Sequence, residues 1–267
     1  MERIDAALKE AVRKRMIADV PLGAFLSGGV DSSLVVAMMS QLSSKPVKTF
    51  SIGFAEQDFS ELEYSDAVAK RYGTEHQQIR LQPDVLEILP SLVWEYGEPF
   101  ADSSAIPTYY VSKAAKEFVT VALTGDGGDE QFGGYDIARA SFHAMRYDAW
   151  LPGFVRGPLE DWLFAAERTG FAQKLKTLAT HASPDPARRH GYSMAFNQRQ
   201  REALYTDTFR TSLGAHRPWH IYQRHAAEMA GLSILDQNLY HVLMARLPND
   251  YLVKVDVASM KVALELR

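Results

Sequence analysis

The chain has 267 residues, a formal net charge of −4 and no cysteine, which excludes disulfides, thiolate metal sites and cysteine nucleophiles. A composition 46% hydrophobic and 23% charged is that of a globular chain with a full core, without the basic field that nucleic acid requires. No run approaches the ~18 uninterrupted apolar residues of a membrane span, the start MERIDAALKEAVRKRM is amphipathic and unlike a signal peptide, and the lack of disulfides fits a reducing, cytoplasmic setting.

Residues 2–17 place Ile4, Ala7, Leu8, Ala11, Val12 and Met16 on one helical face until Pro21 breaks the pattern. Leu22–Leu26 is a short apolar run ending in Ser27-Gly28-Gly29, and the apolar stretch Leu34–Met39 follows, which predicts strand, tight turn and buried helix. Val47–Phe54 reads as a second strand, 61–72 as a helix, 76–81 as a third strand, and 84–96 and 104–117 as helices in which Trp94, Tyr109 and Tyr110 serve packing. Phe118–Leu123 is a β-branched strand that runs into Thr124-Gly125-Asp126-Gly127-Gly128-Asp129-Glu130. This alternation predicts an α/β fold, a parallel twisted sheet of about five strands flanked by helices. Residues 1–135 form that α/β core. Residues 136–267 carry few strand signals and read as a mainly helical layer punctuated at 151–158 and 182–186. Near the end, Leu252, Val255, Ser259 and Val262 share a helical face, and the stop at Leu266-Arg267 without a capping glycine is expected to be a cut. His216 and His220 have i,i+4 spacing, but Pro218 between them disfavours a helical metal pair.

Two glycine-rich loops carry the chemistry. In SGGVDSS, at 27–33, Gly28 and Gly29 let the backbone pass close to a ligand. The amides and the helix N-terminus after them make an anion site, to which Ser27, Ser32 and Ser33 add hydroxyl groups. Asp31 would repel a polyphosphate unless it holds Mg²⁺ bridging the phosphates. No GKS or GKT follows, so this is not a Walker loop; a bare SGG would read as a glycine turn with Asp31 or Ser32 capping a helix. In GDGGDEQFGGY, at 125–135, Asp129 is the natural second carboxylate for Mg²⁺, and Asp126 faces the reacting centre, where it orients an amine or accepts its proton. A solvated acidic turn is the alternative for that loop taken alone.

These motifs make the chain resemble the synthetase domain of the glutamine-dependent asparagine synthetase family, within the PP-loop ATP pyrophosphatases. SGGVDSS resembles the family's SGGxDSS loop, TGDGGDEQFGGY its SG(E/D)GxDExFGGY loop, and LVKVDVASMKVALELR its D-x-x-(S/T)-M-x-x-x-x-E-x-R segment. The resemblance spans residues 20 to 267. It implies an adenine nucleotide alpha hydrolase-like fold and a ligase that uses ATP and Mg²⁺ to adenylate a carboxylate, releases pyrophosphate and transfers ammonia, giving asparagine when the acceptor is aspartate. It further implies that Ser27, Gly28, Gly29, Asp31 and Ser32 hold pyrophosphate and metal. Phe25, Ile52, Thr124 and Gly125 line the nucleotide, and Asp129 is the second metal carboxylate. Asp126 stands where many relatives have Glu.

Two positions depart from the family pattern. Val257 follows the Asp of the last segment, where many relatives have Lys or Arg, which leaves Lys254 and Lys261 as the nearby ammonium groups. Lys254 is the candidate cation for the adenylation step, a surface-snorkelling lysine being the alternative. Ser103, in FADSSAIPTYY at 100–110, stands where an aspartate-binding Arg is common, so an acceptor other than aspartate, as in lactam-forming relatives, stays open. A non-catalytic nucleotide-binding module is a third alternative. Full-length relatives begin with a glutaminase domain that uses an N-terminal Cys. This chain has none, so its expected partners are a small carboxylate acceptor, ammonia and a glutaminase domain in a longer protein, with a homodimer left open and neither nucleic acid nor membrane involved.

Overall fold

The computed structural model describes residues 1–54, 62–81, 84–135, 203–216, 225 and 227–267. Residues 136–202, which include the punctuated stretches 151–158 and 182–186 of the expected helical layer, lie outside the described residues, as do Pro218 and His220. The chain divides into two compact units, Met1–Asp126 with Pro248–Arg267, and Gly127–Leu247.

The first unit is built on one parallel sheet. Its strands are β1 (Leu22–Phe25), β2 (Lys48–Phe54), β3 (Glu75–Leu81), β4 (Val121–Leu123) and β5 (Glu265–Leu266), in the order β3-β2-β1-β4-β5. The chain builds outward from β1 through β2 to β3, then returns to the other side of β1 to place β4 and β5. The order therefore reverses between β1 and β4, the crevice at which open α/β sheets bind ligands.

Helices cover both faces, as all-parallel strands require. On one face lie α1 (Glu2–Arg15), α2 (Val30–Leu42) and α3 (Leu62–Tyr72), whose Val12, Val36, Met39 and Ala69 pack with Ala24, Leu26 and Leu123. On the other lie α4 (Val85–Tyr96), α5 (Ala105–Ala115) and α9 (Leu252–Met260), where Val111, Ala115, Leu92, Tyr109 and Ala258 pack with Phe50, Ala122 and Leu264 in two adjoining clusters. Neighbouring Ala122 and Leu123 face opposite layers, as the period of two in a strand dictates. Trp94 does not pack: it is 84% exposed on α4.

Local signals explain the helix ends. α1 carries Glu2 and Asp5 in its first turn and Arg13, Lys14 and Arg15 in its last, the charge order the helix dipole favours. Asp84 caps α4 through Glu87 N at 3.0 Å, and Gly97 ends it with φ 67°. After α9, Leu264 N–H donates to Ser259 O and Ala263 N–H to Met260 O, both within 3.1 Å. That is a Schellman turn, with Ala263 at φ 58° in the place glycine usually takes. It turns the chain directly into β5, a strand the apolar pattern of the last segment does not announce.

The described part of the second unit is helical: α6 (Gly128–Phe132), α7 (Asp207–Leu213) and α8 (Ile234–His241), with Thr206 and Ser233 capping the last two. A π-helical stretch, Val242–Tyr251, leads into α9. Among the described residues no helix is long and apolar enough to cross a membrane.

Candidate nucleotide site

The loop after β1 is organised by its own hydroxyls. Ser27 N–H donates to Ser32 Oγ at 3.3 Å, the two hydroxyl oxygens are 2.9 Å apart, Gly29 N–H donates to Ser27 Oγ at 3.2 Å, and Ser32 Oγ donates to Gly29 O at 3.3 Å. Ser32 is thereby buried inside the turn, and no side chain caps α2, whose N-cap is Gly29. The reading of Ser32 or Asp31 as a helix cap is not what the turn adopts. The first amides of a helix have no intrahelical carbonyl to bond, so an uncapped turn offers donors to an anion.

Glycine is required at two places in this site. Gly28 has φ +89°, and a Cβ there would lie 2.6 Å from Tyr64 Cβ and 2.7 Å from Ser65 N, at the start of α3. Gly125, just beyond β4, would place a Cβ 2.9 Å from Ser32 N and 3.1 Å from Asp31 Cβ. The second glycine-rich loop thus begins in contact with the first turn of α2. β1 and β4 are adjacent and in register through Gly23↔Ala122 and Ala24↔Leu123, so both loops leave the sheet at one level, on either side of the reversal point.

The adenosine-side candidates lie on the same edge. Phe25 pairs with Phe50 in the register of β1 and β2, and Leu26 N–H donates to Phe50 O at 2.9 Å. Ile52, two residues further along β2, is therefore at the carboxyl edge beside the loop. Ser51 Oγ donates to Leu26 O, tying β2 to the residue that precedes the loop. Thr124 accepts Asp126 N–H on its Oγ1 at 3.4 Å, and its own N–H donates to Arg267 O at 2.9 Å. Asp126 is exposed at this edge.

Asp129 belongs to the second unit. It sits on the short α6, between Gly127 at φ 95° and Gly133 at φ 73°. A Cβ on Gly134 would collide with its carboxylate, so the second glycine of the FGGY run leaves that carboxylate room. Tyr135 O–H donates to Glu130 at 2.6 Å, and Glu130 is buried. The third acid of the loop therefore has a packing role that its sequence does not reveal. Among the described residues no group of three or more His, Asp or Glu converges as a metal cage.

Lys254 is not a surface lysine. Its side chain is 13% exposed, its Nζ lies 3.5 Å from Asp102 Oδ2, and it sits over the Tyr251 ring at 5.3 Å. Asp102 in turn accepts Ser104 N–H at 2.9 Å and Ser104 O–H at 2.6 Å. Burial pushes the Asp102 carboxyl up, but the Ser104 hydrogen bonds and the Lys254 ammonium outweigh it and hold the group below its ordinary value. Tyr96 O–H donates to the Lys254 carbonyl at 2.9 Å; burial, then the Asp102 charge, raise the phenol to about 12. Lys261, the other nearby ammonium, pairs with Glu95 at 2.8 Å. Asp102 and Tyr96 are absent from the sequence reading, because residues 102 and 254 share no local pattern.

The chain matches the family model described as "Asparagine synthase" over residues 3–267. It is similar over its whole length to asparagine synthetase [glutamine-hydrolyzing] 1 of Bacillus subtilis (strain 168), with 31% identity over 268 residues, 41% of that protein. It is similar at 33% identity to a putative asparagine synthetase [glutamine-hydrolyzing] of Mycobacterium bovis, again over its whole length and 40% of the relative. Over 56% of its length it is 45% identical to putative asparagine synthetase [glutamine-hydrolyzing] 2 of Methanocaldococcus jannaschii, covering 29% of that relative. The chain therefore spans about two fifths of the length of the relatives that match it throughout.

Proposed function

The chain belongs to the asparagine synthase family, and from that membership we propose that it carries the ATP-dependent, amide-forming step of such an enzyme. The observation that carries the proposal is the contact of Gly125 with Asp31 and Ser32, because it joins the two glycine-rich loops at the reversal point of a parallel sheet. In this reading Phe25, Ile52, Thr124 and Gly125 line the adenosine, and Ser27, Gly28, Gly29, Asp31 and Ser32 receive the pyrophosphate part of ATP.

An oxygen of the acceptor carboxylate attacks the α-phosphorus. The bond from that phosphorus to pyrophosphate breaks, and an acyl-adenylate forms. Ammonia then attacks the acyl carbon, AMP leaves, and the nitrogen loses a proton. Asp126 orients the amine and accepts that proton. Lys254 offers positive charge where the α-phosphate and its leaving group gain negative charge. Asp31 would offer Mg²⁺ a hard oxygen ligand of the kind it takes alongside substrate phosphates, Asp129 being the second carboxylate that the family pattern implies, and the bound ion would offset charge on the pyrophosphate. Aspartate is the acceptor in the simplest reading, with ammonia supplied by a glutaminase domain; the names of the relatives give asparagine synthesis and glutamine hydrolysis for them.

Release of pyrophosphate from ATP, aspartate and ammonia tests this. The native chain should release it, Asp31→Ala should lose most of that activity, and equal release from the two would sink the metal and phosphate assignment. A second reading, a non-aspartate acceptor, is favoured by Ser103, a neutral residue in the uncharged run Ser103–Tyr110. Exchange of labelled pyrophosphate into ATP across a panel of carboxylic acids separates the two, since the acid that supports exchange is the acceptor.

A further inference from the structure

α5 feeds β4 and α9 feeds β5, and β4 and β5 are parallel neighbours. A helix that returns over a parallel sheet to start the next strand begins at the carboxyl edge of that sheet. The first residues of α5 and of α9 are therefore at the edge where the two glycine-rich loops emerge, and the two helices pack side by side. Asp102 precedes α5 by three residues, and Lys254 lies in the first turn of α9.

Both members of the pair are pinned independently of each other. Two bonds from Ser104 fix the Asp102 carboxylate. The Tyr96 hydroxyl fixes the backbone at Lys254, and Tyr96 itself stacks on Phe100 at 4.2 Å. The ammonium and carboxylate are 13% and 20% exposed, so both have given up much of their hydration, a cost that a stability role alone does not demand. At 3.5 Å the contact is longer than the ~2.8 Å of a tight charge-assisted bond. Among the described residues Asp102 is the sole carboxylate at the ammonium, which has three protons to donate. An ammonium held loosely by one carboxylate, at the ligand edge of the sheet, keeps donor capacity for an incoming anion.

We infer that Asp102 is a positioning residue for the adenylation step: it holds the Lys254 ammonium at the carboxyl edge of the sheet, where that cation meets the anionic acceptor and the α-phosphate. The inference rests on the reading of Lys254 given above. Asp102 touches no reacting atom in this role; it holds the ammonium in place and compensates its charge.

Three variants of the chain, Asp102→Asn, Lys254→Ala and the double substitution, are compared in acid-dependent pyrophosphate–ATP exchange, in binding of a fluorescent ATP analogue and in thermal midpoint. Each single variant should lower the exchange rate at saturating substrate by roughly 100-fold with nucleotide affinity retained, and the double variant should be no worse than Lys254→Ala, because the pair acts as one unit. Asp102→Glu should recover part of the rate. The exchanged pair Asp102→Lys with Lys254→Asp should recover the thermal midpoint and not the rate, whereas a purely structural ion pair would recover both. Unchanged exchange in Asp102→Asn, with loss in Lys254→Ala, overturns the role of Asp102 and leaves that of Lys254. Full exchange in Lys254→Ala overturns both. Loss of nucleotide binding and of the thermal midpoint in both Asp102→Asn and Asp102→Glu would make the pair structural. A native chain that binds the nucleotide and exchanges with no acid overturns the proposed function, and this inference with it.

Discussion

Gly125 and Ser32 approach so closely that a methyl group on the glycine would lie 2.9 Å from the serine amide nitrogen. Backbone stands on both sides of this contact, so no side-chain rotation relieves it. Gly125→Ala must therefore displace either the end of β4 or the first turn of α2, and the amides of that turn are the proposed phosphate donors. The expected result is a loss of at least roughly tenfold in affinity for a fluorescent ATP analogue, equivalent to about 1.4 kcal/mol, with the circular dichroism of the fold retained. Affinity equal to that of the native chain would show that the close approach of the two loops is not needed for the nucleotide.

His76 ties acidity to this same edge. Its Nδ1 lies 2.9 Å from Thr49 Oγ1 and its Nε2 3.4 Å from Ser51 Oγ, and Ser51 donates to the carbonyl of Leu26, one residue before the loop. Burial pushes the His76 ring below its ordinary value of 6.5, against the opposing pull of the Asp66 carboxylate and a hydrogen bond to the Thr49 backbone. A folded value below the unfolded one means that the unfolded chain takes up the proton first. Stability should therefore be full above 6.5 and should fall as pH drops below it, until the folded ring also protonates. Urea midpoints for the native chain and His76→Gln, measured from about pH 7.5 to about pH 5.5, check this. The native midpoint should fall more steeply with acidity, and parallel curves would remove His76 from the account.

Ala263 closes the Schellman turn after α9 at φ 58°. A left-handed conformation costs an ordinary L-residue about 1 kcal/mol, and the side chain is exposed, so it gains nothing there by packing. Ala263→Gly should stabilise the chain by up to about 0.5 kcal/mol, the relief of strain slightly exceeding the extra entropy of the unfolded glycine. A raised thermal midpoint is the expected reading; a lowered one would mean that the methyl group supports the passage into β5.

The extent to which the site can be read from the sequence follows from the range of its interactions. Ser27, Gly28, Gly29, Asp31 and Ser32 lie within six consecutive residues, and their hydroxyl and amide bonds close within the same turn. Residue types and spacing therefore announce them. Strands β1 and β4 are equally legible, because a strand buried on both faces must be an apolar run bounded by turn residues; β2 is mixed, and β3, EHQQIRL at the edge of the sheet, is largely polar and reads as a strand only from its place in the alternation with helices. β5 is not legible: two residues carry no periodicity, and Glu265–Leu266 is a strand only because Val121 and Ala122 are there to pair with it. The pairing of Asp102 with Lys254 escapes for the same reason, as does that of His76 with Ser51, since partners on different elements leave no spacing to read.

The sequence by itself determines the α/β class, the two glycine-rich loops and the family, because each depends on residues close together along the chain or on the order of motifs within it. Only the tertiary structure decides that β1 and β4 are neighbours, that Gly125 touches the first turn of α2, and that an aspartate before α5 meets a lysine at the start of α9. Those facts depend on which strand the chain returns to after β3. Many segments compete for that placement, and the burial of both sheet faces settles it, not any local preference.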